Sequence, residues 1–136
     1  MEPSEELTGW EATMGLILVS ASPEQVIAEM EIGAHHLQPF GAVHGGVLCG
    51  LIESAASRGA LEVTRSRGQP PPAGLENHTS FIRSARAGRV RVTAIPLTRG
   101  RLSQVWEANV RDDGGRLLAS GRVRLIAIPS DTAPQD

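Results

Sequence analysis

A chain of 136 residues with 40% hydrophobic content and a formal net charge of −2 has the size of a single domain and enough apolar side chains for a core. Its 3% aromatic content and lack of basic excess exclude a nucleic-acid surface, which needs stacking rings and cations. No apolar run is long enough to span a bilayer.

Residues 14–19 are apolar enough for a strand, and Ser22-Pro23 turns the chain. Over 25–32, Val26, Ala28, Met30 and Ile32 alternate with Gln25, Glu29 and Glu31, with Ile27 out of step. That is the period of a half-buried antiparallel strand. Residues 33–43 form a loop. From Gly45 or Gly46 to about residue 63 the chain reads as its only long helix. Gln69-Pro70-Pro71-Pro72 exclude helix and central strand. Strands are expected over 75–84, 89–97, 102–111 and 117–128, divided by Ala87-Gly88, Arg99-Gly100 and the hairpin signal Asp112-Asp113-Gly114-Gly115. The short turns predict one antiparallel meander of these four strands. Residues 129–136 read as a frayed tail, which leaves a single domain over 1–136 with a folded core over 9–128. One helix and one sheet must bury each other's apolar faces. The fold class is therefore α+β, one long helix wrapped by a six-stranded, mainly antiparallel sheet.

The lone Cys49 has no partner for an intrachain disulfide, and it reads as a small buried hydrophobe in a reducing, cytoplasmic setting. The acidic stretch 1–6 does not read as a secretory signal. Up to Glu62 the only Lys or Arg is Arg58; from Arg65 onward arginines dominate, and the chain has no lysine. Arginines facing one groove would attract an anionic ligand and fork onto phosphates.

On the helix, Leu48, Leu51, Ile52 and Ala55 make a core stripe. Gly46, Gly50, Glu53, Ser57 and Ala60 make a second stripe, nearly bare except for its acid and hydroxyl, which leaves room for something to lie against the helix. Gly50, Ala55, Ala56, Gly59 and Ala60 let neighbouring strands come close. The helix follows Gln38-Pro39-Phe40-Gly41-Ala42-Val43-His44-Gly45-Gly46. A helix start offers unpaired N–H groups and a partial positive charge, which can hold the oxygen of a polarised carbonyl. Glu53, two turns on, could work on the carbon of that carbonyl, directly or through water. Solvated glutamate, tight-turn glycines and a capping His44 are the alternatives. His35-His36 read as loop histidines, which on a strand would point apart, and no metal site is expected.

Gln38, His44-Gly45-Gly46 and Glu53, at these spacings and in this strand order, resemble the hotdog-fold acyl-CoA thioesterases. The likeness is to the phenylacetate-pathway (PaaI-type) and the Arthrobacter-type 4-hydroxybenzoyl-CoA thioesterases. Asn77-His78-Thr79-Ser80-Phe81 and the stretch from Arg111 through Asp112-Asp113-Gly114-Gly115 to Leu117 share it, so it covers roughly residues 15–128. The Gln/Glu pair points to the 4-hydroxybenzoyl branch, although the chain has no tyrosine to bond a phenolic acyl group.

The resemblance implies hydrolysis of an aryl- or medium-chain acyl-CoA to free acid and coenzyme A, with no cofactor beyond the coenzyme A of the substrate. Two chains pair their sheets into one, and the homodimer forms two sites and assembles further into a homotetramer. The Gly45 N–H polarises the thioester carbonyl and Gln38 assists. Glu53, from the facing chain, acts as nucleophile or general base, and Ser57 positions it or its water. His44, Gly46, Asn77, His78 and Thr79 contact the substrate, with residues 77–79 lining the acyl pocket. Arg83, Arg86, Arg99 and Arg101, at strand ends or turns, are candidates as a group for the coenzyme A phosphates. A non-catalytic acyl-CoA-binding protein and a hotdog dehydratase or hydratase are the rival readings.

Overall fold

The computed structural model describes residues 6 to 128. The start over 1–5 and the tail expected to fray over 129–136 lie outside the described residues. In chain order the elements are α1 (Gly9–Met14), β1 (Ile17–Ala21), β2 (Val26–Glu31), a 3₁₀ turn (Ala34–His36), α2 (Gly45–Ser66), β3 (Ala73–Phe81), β4 (Arg89–Arg99), β5 (Ser103–Asp112) and β6 (Leu117–Ile126).

Helix α1 was not expected from the sequence. Six residues carry too little periodicity to announce a helix, and none of them is buried. Gly15, at φ 76°, stops it in the left-handed region, with the Gly15 N–H on Ala12 O at 3.1 Å and the Leu16 N–H on Glu11 O at 3.0 Å. Residues 14–16 therefore belong to this helix and its cap, and the first strand begins at Ile17. Helix α2 runs three residues past its expected end, to Ser66, and stops before Gly68 at φ 65° and the proline run.

The sheet has six strands in the order β1-β2-β4-β5-β6-β3, every neighbouring pair antiparallel. The expected four-strand meander is wrong: only β4, β5 and β6 follow one another, while β3 lies beyond β6 at the edge. The segment read as a tight turn at Ala87-Gly88 is the end of a crossover over residues 82–88. Seven extended residues reach about 23 Å. That exceeds three inter-strand steps of about 4.8 Å each. The crossover is bonded as it passes. Ile82 and Arg83 donate to Leu118 O at 2.8 and 3.2 Å, Val43 donates to Ala85 O at 2.8 Å, and Ile32 donates to Gly88 O at 2.8 Å.

The alternations predicted from sequence fall on the expected faces. Val26, Ala28 and Met30 of β2 lie opposite Ala94, Val92 and Val90 of β4, and all six are buried. Trp106, Ala108 and Val110 of β5 continue the layer, and Val123 and Leu125 of β6 complete it. Helix α2 lays Leu48, Leu51, Ile52 and Ala55 on this layer. Its small residues set the approach: a Cβ on Gly59 would collide with the buried Trp106 indole, and Ala56 and Ala60 are fully buried. The second, bare stripe is not one open face. Ala60 is buried under the sheet, and Gly50 is covered by the indole of Trp10 from α1.

Candidate active site

The loop before α2 is pinned at both ends. Leu37 and Val43 form an isolated antiparallel bridge, and His44 donates its N–H to His36 O at 2.8 Å. Inside it, Gln38 turns the chain: its N–H donates to Ala42 O at 2.7 Å, its carbonyl accepts from the Gly41 N–H at 3.0 Å, and its side-chain Oε1 accepts from the Phe40 N–H. Among the described residues the Gln38 Nε2 makes no hydrogen bond.

His44 is the N-cap of α2, and its Nδ1 accepts the Gly46 N–H at 2.8 Å. That N–H is thereby taken, and His44 takes the capping role left open by the sequence. Gly45, the first residue of the helix, has no intrahelical acceptor for its own N–H. The half-exposed Phe81 ring lies over it, 3.0 Å from where a Cβ would stand. Gln38, Gly45, Phe81, Arg83 and Ala85 are among the residues lining a cleft of about 320 Å³.

Eight residues along the helix a second constellation forms. The Glu53 carboxylate accepts from the Ser57 hydroxyl on Oε2 at 3.1 Å and from the Asn77 amide on Oε1 at 3.2 Å. Asn77 Nδ2 also donates to Cys49 O at 3.2 Å, and its Oδ1 accepts from the Thr79 hydroxyl at 2.7 Å. Two strand glycines make the space. A Cβ on Gly74 would stand 2.8 Å from Glu53 Oε2, and one on Gly121, paired with Thr79, would collide with the Thr79 hydroxyl. Glu53 opens into a cleft of about 480 Å³ shared with Thr8, Trp10, Glu11, Gly50 and Ser54. A neighbouring cleft of about 340 Å³ shares Thr8, Glu11 and Ser54 and runs on past Ser57 to Leu18, Val26 and Leu61.

Gly45 and Glu53 do not meet within one chain. Eight residues at about 1.5 Å each place them about 12 Å apart along the axis. They line different clefts. A single helix therefore cannot present both to one carbonyl carbon, contrary to the simplest expectation from their spacing.

The other expected residues divide. Asn77 and Thr79 face α2 and hold Glu53 rather than standing as a bare pocket wall. His78, between them, is exposed on the opposite face of β3. The four arginines do not form a group within the chain. Arg83 and Arg86 follow β3 near the Leu118 end of the sheet, with Arg86 Nη1 on Phe40 O at 3.1 Å. Arg99 and Arg101 lie at the opposite end, where Arg99 Nη1 donates to Pro23 O at 3.2 Å and stands 3.6 Å from Glu24 Oε1. Cys49 is half-buried. His35 and His36 occupy the 3₁₀ turn with ring centroids 3.9 Å apart, not the diverging arrangement of a strand. His36 is buried; its Nδ1 accepts from the Gly33 N–H at 2.9 Å and its Nε2 donates to Met14 O at 2.8 Å. Burial holds its imidazole below the ordinary value, His35 adds to the lowering, and the bond to Met14 opposes it.

Residues 40–119 match the family profile of the thioesterase superfamily. The chain belongs to this superfamily. It is an enzyme acting on thioesters, and its fold is the hotdog fold. An esterase-named protein of Mycobacterium tuberculosis is 39% identical over 117 residues, covering 85% of this chain and 84% of the relative. A solved structure of that esterase superposes with a TM-score of 0.85 over 88% of this chain and 95% of the other. A Listeria monocytogenes protein named 1,4-dihydroxy-2-naphthoyl-CoA hydrolase is 34% identical over 119 residues, covering 86% of this thioesterase and 94% of the relative. An Escherichia coli protein of the same name is 40% identical over 96 residues, covering 71% and 69%.

Two aromatic residues beside these clefts were missed by sequence reasoning. Trp10 lies in a helix too short to show periodicity, so no signal linked it to Gly50. Phe81 stands in the Asn77–Phe81 stretch, but it meets Gly45 because β3 pairs with β6 at the sheet edge, a placement the sequence did not reveal.

Proposed function

We propose that this thioesterase hydrolyses aryl-CoA thioesters, with Glu53 of one chain acting on a carbonyl polarised by the Gly45 N–H of a second copy. The observation that carries this is the Glu53 carboxylate, held by one donor on each oxygen at an open cleft, about 12 Å along the helix from an unpaired N–H. Such a site is incomplete in one chain, and a dimer is the smallest assembly that completes it. The edge strand β3 supports the pairing: Leu75 and Phe81, with Ile82 just beyond, are exposed large hydrophobics beside an edge that carries no strand among the described residues.

The chemistry needs little else. The thioester oxygen accepts the Gly45 N–H, with the free Gln38 amide beside it. Glu53 either takes a proton from water as hydroxide adds to the carbonyl carbon, or adds its own oxygen to form a mixed anhydride that water then cleaves. In both routes the tetrahedral oxyanion collapses, the C–S bond breaks, and the thiolate of coenzyme A leaves and takes a proton. A preorganised N–H at the oxyanion is typically worth on the order of 10²–10³ in rate. A positioned base adds roughly 10²–10⁴. Arg83 lines the cleft with Gln38 and Gly45, which supports assigning it to the anionic coenzyme A.

The aromatic acyl group is favoured by Trp10, whose indole lines the Glu53 cleft beside Gly50. Two relatives named for a naphthoyl-CoA substrate support the same class. The test is release of free thiol from benzoyl-, naphthoyl- and hexanoyl-CoA by the wild type and Glu53→Gln. Turnover in the aryl series that falls by about 100-fold or more in the variant is the expected result. Glu53→Gln turnover within about 3-fold of wild type would remove Glu53 from the chemistry.

A further inference from the structure

We infer that Asn77 and Thr79 are positioning residues that fix the direction of the Glu53 carboxylate. This rests on the proposed role of Glu53 and adds two residues of another element to it. The helix alone supplies one restraint, the Ser57 hydroxyl on Oε2 at 3.1 Å. One such bond leaves the carboxylate free to swing about that oxygen.

Asn77 supplies the second restraint and ties it to the backbone. Its two amide hydrogens go to Glu53 Oε1 and to Cys49 O, each at 3.2 Å. The Cys49 carbonyl is four residues before Glu53, so it belongs to the turn from which Glu53 projects. The amide thus measures the carboxylate against its own turn. Both partners of the amide nitrogen are acceptors only, so the nitrogen must face them and Oδ1 must face away. There it accepts the Thr79 hydroxyl at 2.7 Å. That bond fixes the plane of an amide whose sense the two acceptors have already set, and so holds the amide nitrogen on the carboxylate. The backbone is shaped for this chain of bonds: Gly121, opposite Thr79 on β6, has no Cβ to displace the hydroxyl, and Gly74 has none to displace Glu53 Oε2.

The test is Thr79→Val, which keeps the shape of the side chain and removes the hydroxyl. With benzoyl-CoA, kcat is expected to fall about 10-fold or more, since small misplacement of a reacting group is costly, while KM stays within about 2-fold. Thr79→Ser restores the hydroxyl and is expected to return kcat to within about 3-fold of wild type, with thermal melting recorded for each variant. In the Glu53→Gln background the Thr79→Val change is expected to lower the residual rate by less than about 2-fold, because it acts through the carboxylate already removed. A kcat for Thr79→Val within 2-fold of wild type, or an equal fall in both backgrounds, would overturn the inference. If Glu53→Gln alone is active at near the wild-type rate, the proposed function falls with it. If Glu53→Gln is inactive and Thr79→Val is not impaired, only the positioning role falls.

Discussion

The six-membered ring of the buried Trp106 indole packs against Gly59 of α2, with no room between them for a Cβ. Trp106 cannot yield easily, because its Nε1 donates to Gln104 Oε1 at 2.8 Å and Gln104 Nε2 donates to Ala60 O at 3.3 Å. Gly59→Ala gains about 1 kcal/mol of helix propensity. Forcing a methyl into this contact costs about 1–3 kcal/mol or more. The expected outcome is a net loss of about 1 kcal/mol, read as a lower urea midpoint at unchanged slope. A midpoint equal to or above wild type would show that the ring moves aside at no cost.

Gly50 bears the same relation to Trp10, but Trp10 is 42% exposed and sits on a helix with no buried residue. A Cβ there displaces a ring that has somewhere to go. Gly50→Ala is therefore expected to leave stability within about 0.5 kcal/mol of wild type. Its effect belongs to the cleft: KM for naphthoyl-CoA is expected to rise several-fold while KM for hexanoyl-CoA changes little. Equal shifts for both substrates would deny Trp10 a part in acyl selection.

The Gly45 N–H can be deleted without disturbing the helix. Proline is tolerated at the first helical position, and the preceding His44, at φ −61° and ψ 131°, already has the conformation that proline demands. For its Cβ, the half-exposed Phe81 ring must give way by a few tenths of an ångström. Gly45→Pro is expected to fold normally and to lose about 10²–10³ in kcat. Mixed and refolded with Glu53→Gln, it should recover about a quarter of wild-type activity, since half the dimers are mixed and each mixed dimer holds one intact site. Mixtures as inactive as the separate variants would place both groups in one chain's site.

His36 makes stability depend on pH. Its folded-state pKa is lowered by burial, so below 6.5 the unfolded chain binds more protons than the folded one. Stability is expected to fall as pH drops from 6.5 toward the lower folded value, and to be fully present above 6.5. The protonated ring would lose Nδ1 as acceptor for the Gly33 N–H and would face His35. His36→Asn should flatten the urea midpoint over that range, whereas an unchanged slope would assign it to other groups.

Much of the fold was legible because strand alternation is local. Val26, Ala28 and Met30, or Trp106, Ala108 and Val110, reveal their buried face within a few residues. The Glu53–Ser57 pair was legible for the same reason, being four residues apart on one helix. The place of β3 was not, because a seven-residue connection reads alike as a turn or as a crossover. The joining of Asn77 to Glu53 was hidden with it, since it depends on how the edge strand lies against the helix.

By itself, the sequence determined which segments become strands, that one long helix must lie on their apolar face, and that an acid and a hydroxyl share a side of it. Tertiary structure decided that Asn77 and Thr79 hold Glu53, that Trp10 covers Gly50 and Trp106 covers Gly59, and that Gly45 and Glu53 of one chain stand apart. Periodicity is carried by bonded neighbours and survives in a string of letters. Contacts between distant segments depend on strand order and on the room left by missing Cβ atoms, which only packing can set.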